Sequence, residues 1–180
     1  SIRSQIVPII NGFQEQREQR MGLDALKPWD LSVDPLNREP LKPFEGGEEL
    51  LAKTQAVFQK LDPYFKDCLA QMKQLGHLDL DSKKGKAPGG FNYPLYEVGA
   101  PFIYMNAVGN LNDVVTMVHE GGHAVHSFLS HPLPLTGFKS FPSEVAELAS
   151  MSMELMSMGH WDVFFDAPED LKRAQEDHLQ

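Results

Sequence analysis

The chain holds a single cysteine, Cys68, among its 180 residues. That excludes an intrachain disulfide and any cysteine-built zinc cluster, and makes a reducing, cytoplasmic setting the expectation. Long apolar runs are missing too: no window reaches the roughly 18 apolar residues that a bilayer-spanning helix needs, and the opening residues show no basic-then-apolar leader. Positive charge is scarce. With 16 Lys and Arg against 25 Asp and Glu, a net charge of −9 and a pI near 5.2, the chain lacks the basic stripe that a nucleic-acid partner or an anionic membrane surface would demand. Its densest cationic stretch, Lys83-Lys84-Gly85-Lys86, lies in a Gly/Pro-rich segment and reads as a solvated loop. Internal repeats and low-complexity blocks are also absent.

What is present is an ordinary globular composition, 42% hydrophobic, enough for one sizeable core within a single region over residues 1–180. Residues 1–76 read as helical, interrupted by an extended connector over 28–47 that contains four prolines and the pair Gly46-Gly47. From Glu48 the positions Leu50, Leu51, Thr54, Val57, Phe58, Leu61, Tyr64, Phe65, Leu69 and Met72 trace one helical face. Asp62-Pro63 interrupts this stripe with a cap residue followed by a first-turn proline, which predicts two short helices or one kinked helix, and Gly76 ends the run. Residues 77–107 change character. Leu78 and Leu80 alternate with Asp79 and Asp81, and Phe91 to Tyr93 and Phe102 to Asn106 are aromatic or β-branched around a turn at Val98-Gly99-Ala100, so a small antiparallel sheet is expected. Residues 113–159 then read as two helices separated by a proline-bearing loop, and a last helix starts near Pro168. Both termini read as mid-helix without caps, the pattern expected of a piece of a longer chain. The expected fold class is mainly α with this small sheet.

The first of the two helices carries His119-Glu120-Gly121-Gly122-His123. At 3.6 residues per turn the two histidines share a face one turn apart, so both imidazoles reach one ion at about 2.0–2.1 Å. Glu120, about 100° further round, stands beside that ion where it can take a proton from a bound water. Chance alone produces H-E-x-x-H in roughly a few per cent of sequences with this histidine content. The capped helix, the apolar Val114-Val115-Thr116-Met117-Val118 and the two glycines, which permit close approach of another backbone, argue against chance. A catalytic zinc site needs a third protein ligand and an open position. The next helix offers Glu144, Glu147 and Glu154 on a face otherwise made of Ala, Ser and Met, where carboxylates are costly unless they bind metal or a ligand histidine. Glu147, between small residues, is the expected third ligand of one Zn2+ per chain, with Glu154 and Glu144 as candidates to support the ligands. His126 lies on nearly the same face as His119 and lines the cleft or serves structure, while His77, His131, His160 and His178 have no motif partner. Met151, Met153, Met156 and Met158 read as adaptable core.

These blocks together resemble the oligoendopeptidase F and thimet oligopeptidase family. The resemblance is carried by Lys27 to Leu31, Lys84 to Gly90, Pro101 to Asn106, Asp113 to His126 and Ser143 to Leu155. The resemblance implies a zincin-like, gluzincin-type oligopeptidase catalytic core acting on short peptides. It implies an H-E-x-G-H site, matched through Gly122, a third ligand at Glu147 and a second acidic position at Glu154. The 23 residues between His123 and Glu147 exceed the spacing of thermolysin-like enzymes and favour the oligopeptidases. The family's oxyanion-stabilising tyrosine and histidine lie further from the third ligand than the 33 residues that follow Glu147 here, and its N-terminal helical domain has no counterpart, so the remaining parts of a full-length peptidase are expected partners. In zincins an edge strand beside the metal helix binds peptide through its main chain, and Phe102, Ile103, Tyr104, Met105 and Asn106 are the candidates for that strand. Two other readings stay open at this point: a non-catalytic metal-binding fragment, and a zinc carboxypeptidase on a related helical scaffold.

Overall fold

In the computed structural model, which describes residues 2–31 and 33–179, the chain divides into two compact units. Ser1–Pro40 with Glu176–Gln180 form one, and Leu41–Gln175 form the other.

In the first unit α1 (Ile2–Met21) is a single helix with no buried residue, and its apolar side chains Ile2, Ile6, Ile9, Ile10 and Phe13 are all exposed. A short 3-10 turn at Pro28–Asp30 follows. Its closing carboxylate caps itself, with Asp30 Oδ2 accepting from the Lys27 N–H at 2.8 Å. Arg17 of α1 ties the segment back by donating to the carbonyls of Asp30 and Val33.

The second unit is built on the helical stripe read from the sequence. The stripe divides into α2 (Gly46–Leu61) and α3 (Pro63–Leu75). Asp62 separates them in extended conformation, its side chain accepting from the Tyr64 N–H at 2.8 Å. That is the cap-plus-proline break at work. Gly76 closes α3 at φ 71°, a left-handed conformation that suits glycine. Leu50, Leu51, Thr54, Val57, Phe58, Leu69 and Met72 are all buried and Leu61 and Phe65 partly so, whereas Tyr64, in the first turn of α3, is exposed; the stripe is core except there.

The sheet has three strands, β1 (Leu78–Asp81), β2 (Gly90–Tyr93) and β3 (Phe102–Ala107), in the order β1-β3-β2. β2 and β3 pair antiparallel as expected. β1 pairs parallel to β3, so the sheet is mixed. The reason is where α3 ends: His77, just past Gly76, gives its carbonyl to the Ile103 N–H at 3.0 Å, and its Nδ1 lies 3.1–3.2 Å from the carbonyls of Ala100 and Pro101. The chain is thus anchored along the start of β3 and runs in the same direction.

The basic stretch is not uniformly solvated. Lys86 donates to the carbonyls of Asp79 (3.0 Å) and Asp81 (2.8 Å), and its ammonium lies 4.6 Å from the Tyr104 ring centroid. Its side chain is only 7% exposed, because those carbonyls and the aromatic face together replace its hydration.

α4 (Leu111–Ser130), the short α5 (Thr136–Lys139), α6 (Ser143–Ser157) and α7 (Pro168–Leu179) complete the fold. A 3-10 turn at Met158–Val163 sits between the last two. α5 falls inside the proline-bearing loop read as irregular. The methionines divide: Met153 and Met158 are core, whereas Met151 and Met156 are exposed. Among the described residues no helix is long and apolar enough to cross a membrane.

Candidate metal centre

The helix α4 starts on a reciprocal cap. The Asn110 side chain accepts from the Asp113 N–H at 3.0 Å, and Asp113 Oδ2 accepts from the N–H groups of Val108, Gly109 and Asn110 at 2.8, 2.9 and 3.1 Å. One buried carboxylate therefore satisfies the turn that leads into the helix. Val114, Met117, Val118, Ala124 and Val125 are buried, which fixes the rotation of α4 and turns His119 and His123 together toward α6.

The glycines of the motif have separate neighbours. A Cβ on Gly121 would lie 2.7 Å from Cζ of Phe58 on α2, and one on Gly122 would lie 2.8 Å from Cα of Ser150 on α6. Glycine is thus required at both positions by close approach, and α4 is wedged between α2 and α6 at the level of the motif.

That approach brings the ligand candidates together. One donor atom from each of His119, His123 and Glu147 falls within 4.8 Å of the others. His119 Nε2 is 3.3 Å from Glu147 Oε2, and His123 Nε2 is 3.8 Å from Glu147 Oε1. The two imidazole rings stand nearly perpendicular, their centroids 4.8 Å apart. A tetrahedral centre with bonds of about 2.1 Å spaces its donors about 3.4 Å apart, close to the two His–Glu separations, so two imidazoles and a carboxylate in this arrangement could hold one metal ion. Glu154, about two turns further along α6, backs the pair: His119 Nδ1 lies 2.6 Å from its Oε1. A neutral His119 that donates Nδ1–H there has its lone pair on Nε2, facing Glu147.

Protonation follows the burial. His123 is pushed below the usual imidazole range, first by burial and then by the neighbouring His119, which favours the neutral, metal-binding form. Glu120, 7% exposed, is raised above the usual carboxylate range by burial, with the Glu147 charge adding to it, while His119 and Asn92 work the other way. Raised and beside the donors, it has the profile of a proton acceptor.

The other candidates part company. His126 stacks on Phe141 with ring centroids 4.0 Å apart, and burial holds it below the usual imidazole range. It does not join the donor cluster. Glu144 is exposed in the first turn of α6 and is not among the grouped donors. The substrate-strand expectation for Phe102, Ile103, Tyr104, Met105 and Asn106 is corrected: β3 is the central strand, its main chain paired on both sides. The edge beside α4 belongs to β2, whose Asn92 donates to the Glu120 carbonyl at 3.3 Å. Sequence reasoning also missed Ser150, which is fully buried and whose Oγ lies 3.2 Å from Glu147 Oε2. A serine three residues after the ligand was the only signal for it.

Residues 1–180 match the family model of peptidase family M3. The chain is 26% identical over 150 residues to an oligoendopeptidase F homolog of Lactococcus lactis subsp. lactis (strain IL1403), covering 83% of this chain and 24% of that protein. It is 26% identical over 151 residues to the oligopeptidase PepF of Bacillus subtilis (strain 168), covering 82% and 22%. It is also similar to the solved structure of PZ peptidase A with an inhibitor, with a TM-score of 0.87 and 29% identity over 98% of this chain and 32% of that one. The chain spans about a quarter of the length of the curated relatives it matches. On a family-model match that runs its whole length, the chain belongs to peptidase family M3.

Proposed function

We propose that this chain holds the metal and the catalytic base of a zinc-dependent oligopeptidase that cleaves internal bonds of short peptides. The observation that carries the reading is the convergence of His119, His123 and Glu147 beside a buried Glu120. The kinship with proteins named oligoendopeptidase F and oligopeptidase supports the substrate class, and the rest of a full-length peptidase is its natural partner. A single buried, unpaired cysteine is in keeping with a cytoplasmic enzyme.

His119, His123 and Glu147 would hold the zinc, with Glu154 fixing the His119 ring. Bound there, zinc would supply Lewis-acid polarisation and a more acidic water. Glu120 would accept a proton on its carboxylate from the attacking water and pass it to the leaving amine. Burial raises the affinity of Glu120 for that proton, which suits a group that must accept it and then release it.

The peptide lies along the free edge of β2. The Asn106 N–H bonds the Gly89 carbonyl, and the register pairs Phe91 with Tyr104 and Tyr93 with Phe102. In the alternation of an antiparallel ladder, the main-chain groups of Gly90 and Asn92 therefore face away from β3; the Asn92 N–H is engaged by the Glu120 carboxylate, which leaves the Gly90 groups and the Asn92 carbonyl for a peptide. Replacing Glu120 by Gln in the full-length protein tests the reading: zinc content should match wild type while cleavage of an end-blocked fluorogenic peptide is lost. Retained turnover removes Glu120 as the base. A wild type that binds zinc and cleaves nothing removes the peptidase reading.

A further inference from the structure

We infer that Gly122 and Ser150 are positioning residues that set the metal affinity of this site, Gly122 by admitting α6 and Ser150 by orienting the Glu147 carboxylate. The inference rests on the zinc reading above and adds to it two residues that are neither ligands nor catalytic groups.

At Gly122 the close neighbours are not movable side-chain ends. An added Cβ would meet Ser150 Cα at 2.8 Å, Met153 Cβ at 2.9 Å and the Ala149 carbonyl at 3.3 Å. No rotamer change relieves such contacts, so α6 itself must retreat. Glu147 stands one turn before this contact and Glu154 one turn after it. A retreat of α6 therefore draws both carboxylates away from histidines that remain on α4. The 3.3 Å approach of Glu147 to His119 and the 2.6 Å bond of Glu154 to His119 both depend on this one point of helix contact.

Ser150 acts on orientation. Its Oγ lies 3.0 Å from the Glu147 carbonyl, 3.4 Å from the Ala146 carbonyl and 3.2 Å from Glu147 Oε2. Bonding to a preceding carbonyl is ordinary for a helical serine. The carboxylate contact is not, and it engages the same oxygen that faces His119. The Glu147 side chain is 47% exposed, so an untethered carboxylate would sample several rotamers and pay to order them on binding metal. The buried hydroxyl holds it in the competent one.

The test measures zinc affinity by competition with a chromophoric chelator, together with the thermal midpoint of the metal-free protein, in the full-length polypeptide. The proteins compared are wild type, Ser150→Ala, Gly122→Ala and Thr54→Val. Thr54 is a control: its buried hydroxyl bonds the Leu50 carbonyl at 2.8 Å on α2, away from the donors. Ser150→Ala should weaken zinc binding by about tenfold or more, the usual scale for a residue that orients a metal ligand. Gly122→Ala should weaken it further, and Thr54→Val should leave it unchanged. If Gly122→Ala does not fold, Ser150→Ala carries the test alone. Wild-type affinity in Ser150→Ala overturns the inference, as does an equal loss in Thr54→Val. A wild type that binds no zinc instead removes the zinc reading on which the inference stands.

Discussion

Removing the carboxylate of Glu154 should weaken zinc binding by about ten- to a hundredfold without removing any metal ligand. Its Oε1 lies 2.6 Å from His119 Nδ1, and the Glu154 side chain is only 14% exposed, so the bond is charge-assisted and largely shielded from water. A bond of that kind contributes about 1.5–3 kcal/mol. At about 1.4 kcal/mol per decade, that is one to two orders of magnitude in affinity if the whole of it bears on the ligand. Glu154→Ala leaves His119 free to rotate and to place its proton on Nε2, where it blocks the metal. Glu154→Gln keeps an acceptor but not the charge, and its affinity should fall between the two. Chelator competition on the three proteins reads the effect directly. Equal affinity in Glu154→Ala and wild type would show that His119 is oriented by something else, and the argument from its tautomer would be wrong.

Asp113→Ala should cost about 1–2 kcal/mol in urea unfolding, since one buried carboxylate accepts from the N–H groups of Val108, Gly109 and Asn110 and its loss leaves that helix start uncapped; a change below about 0.5 kcal/mol would refute that role. In Gly121→Ala the new Cβ meets Cζ of a fully buried Phe58 at 2.7 Å, and overpacking of about 1–3 kcal/mol should outweigh the gain of about 1 kcal/mol in helix propensity. The double variant with Phe58→Leu should recover part of that loss, and a stabilised Gly121→Ala would contradict the packing. Cys68 is buried and its thiol is pushed up to about 11, chiefly by burial. It should therefore resist alkylation at pH 8 until the protein unfolds. Because the folded pKa is the higher one, native stability should also fall as pH rises from about 9 toward 11. Rapid alkylation of native protein would place Cys68 outside the core.

Local signals carried much of the reading. The break at Asp62-Pro63 and the stop at Gly76 act within a few residues, and the structure has both. The pairing of His119 with His123 follows from helical period alone. What brings Glu147 to them is a contact between helices far apart in sequence, and the only trace of it in the chain is small residues, Gly122 on α4 and Ala149 and Ser150 on α6. Those residues show that something approaches closely but not what. Strand order was harder. Phe102 to Asn106 read as a strand, yet nothing in those residues shows that β1 joins its far side, because that pairing depends on where α3 delivers the chain. The central position of β3 was beyond local reasoning. Lys86 was misread for a related reason: its partners are the carbonyls of Asp79 and Asp81 and the Asp79 carboxylate at 3.1 Å, and a pairing between the loop and β1 leaves no mark in a sequence.

Anomalous scattering at the zinc edge, from crystals of the full-length protein, tests the central claim most directly. A single peak should lie between Nε2 of His119, Nε2 of His123 and the carboxylate of Glu147, with Glu154 on the far side of the His119 ring. A peak bound elsewhere, or one that leaves Glu147 out of its coordination, would contradict it.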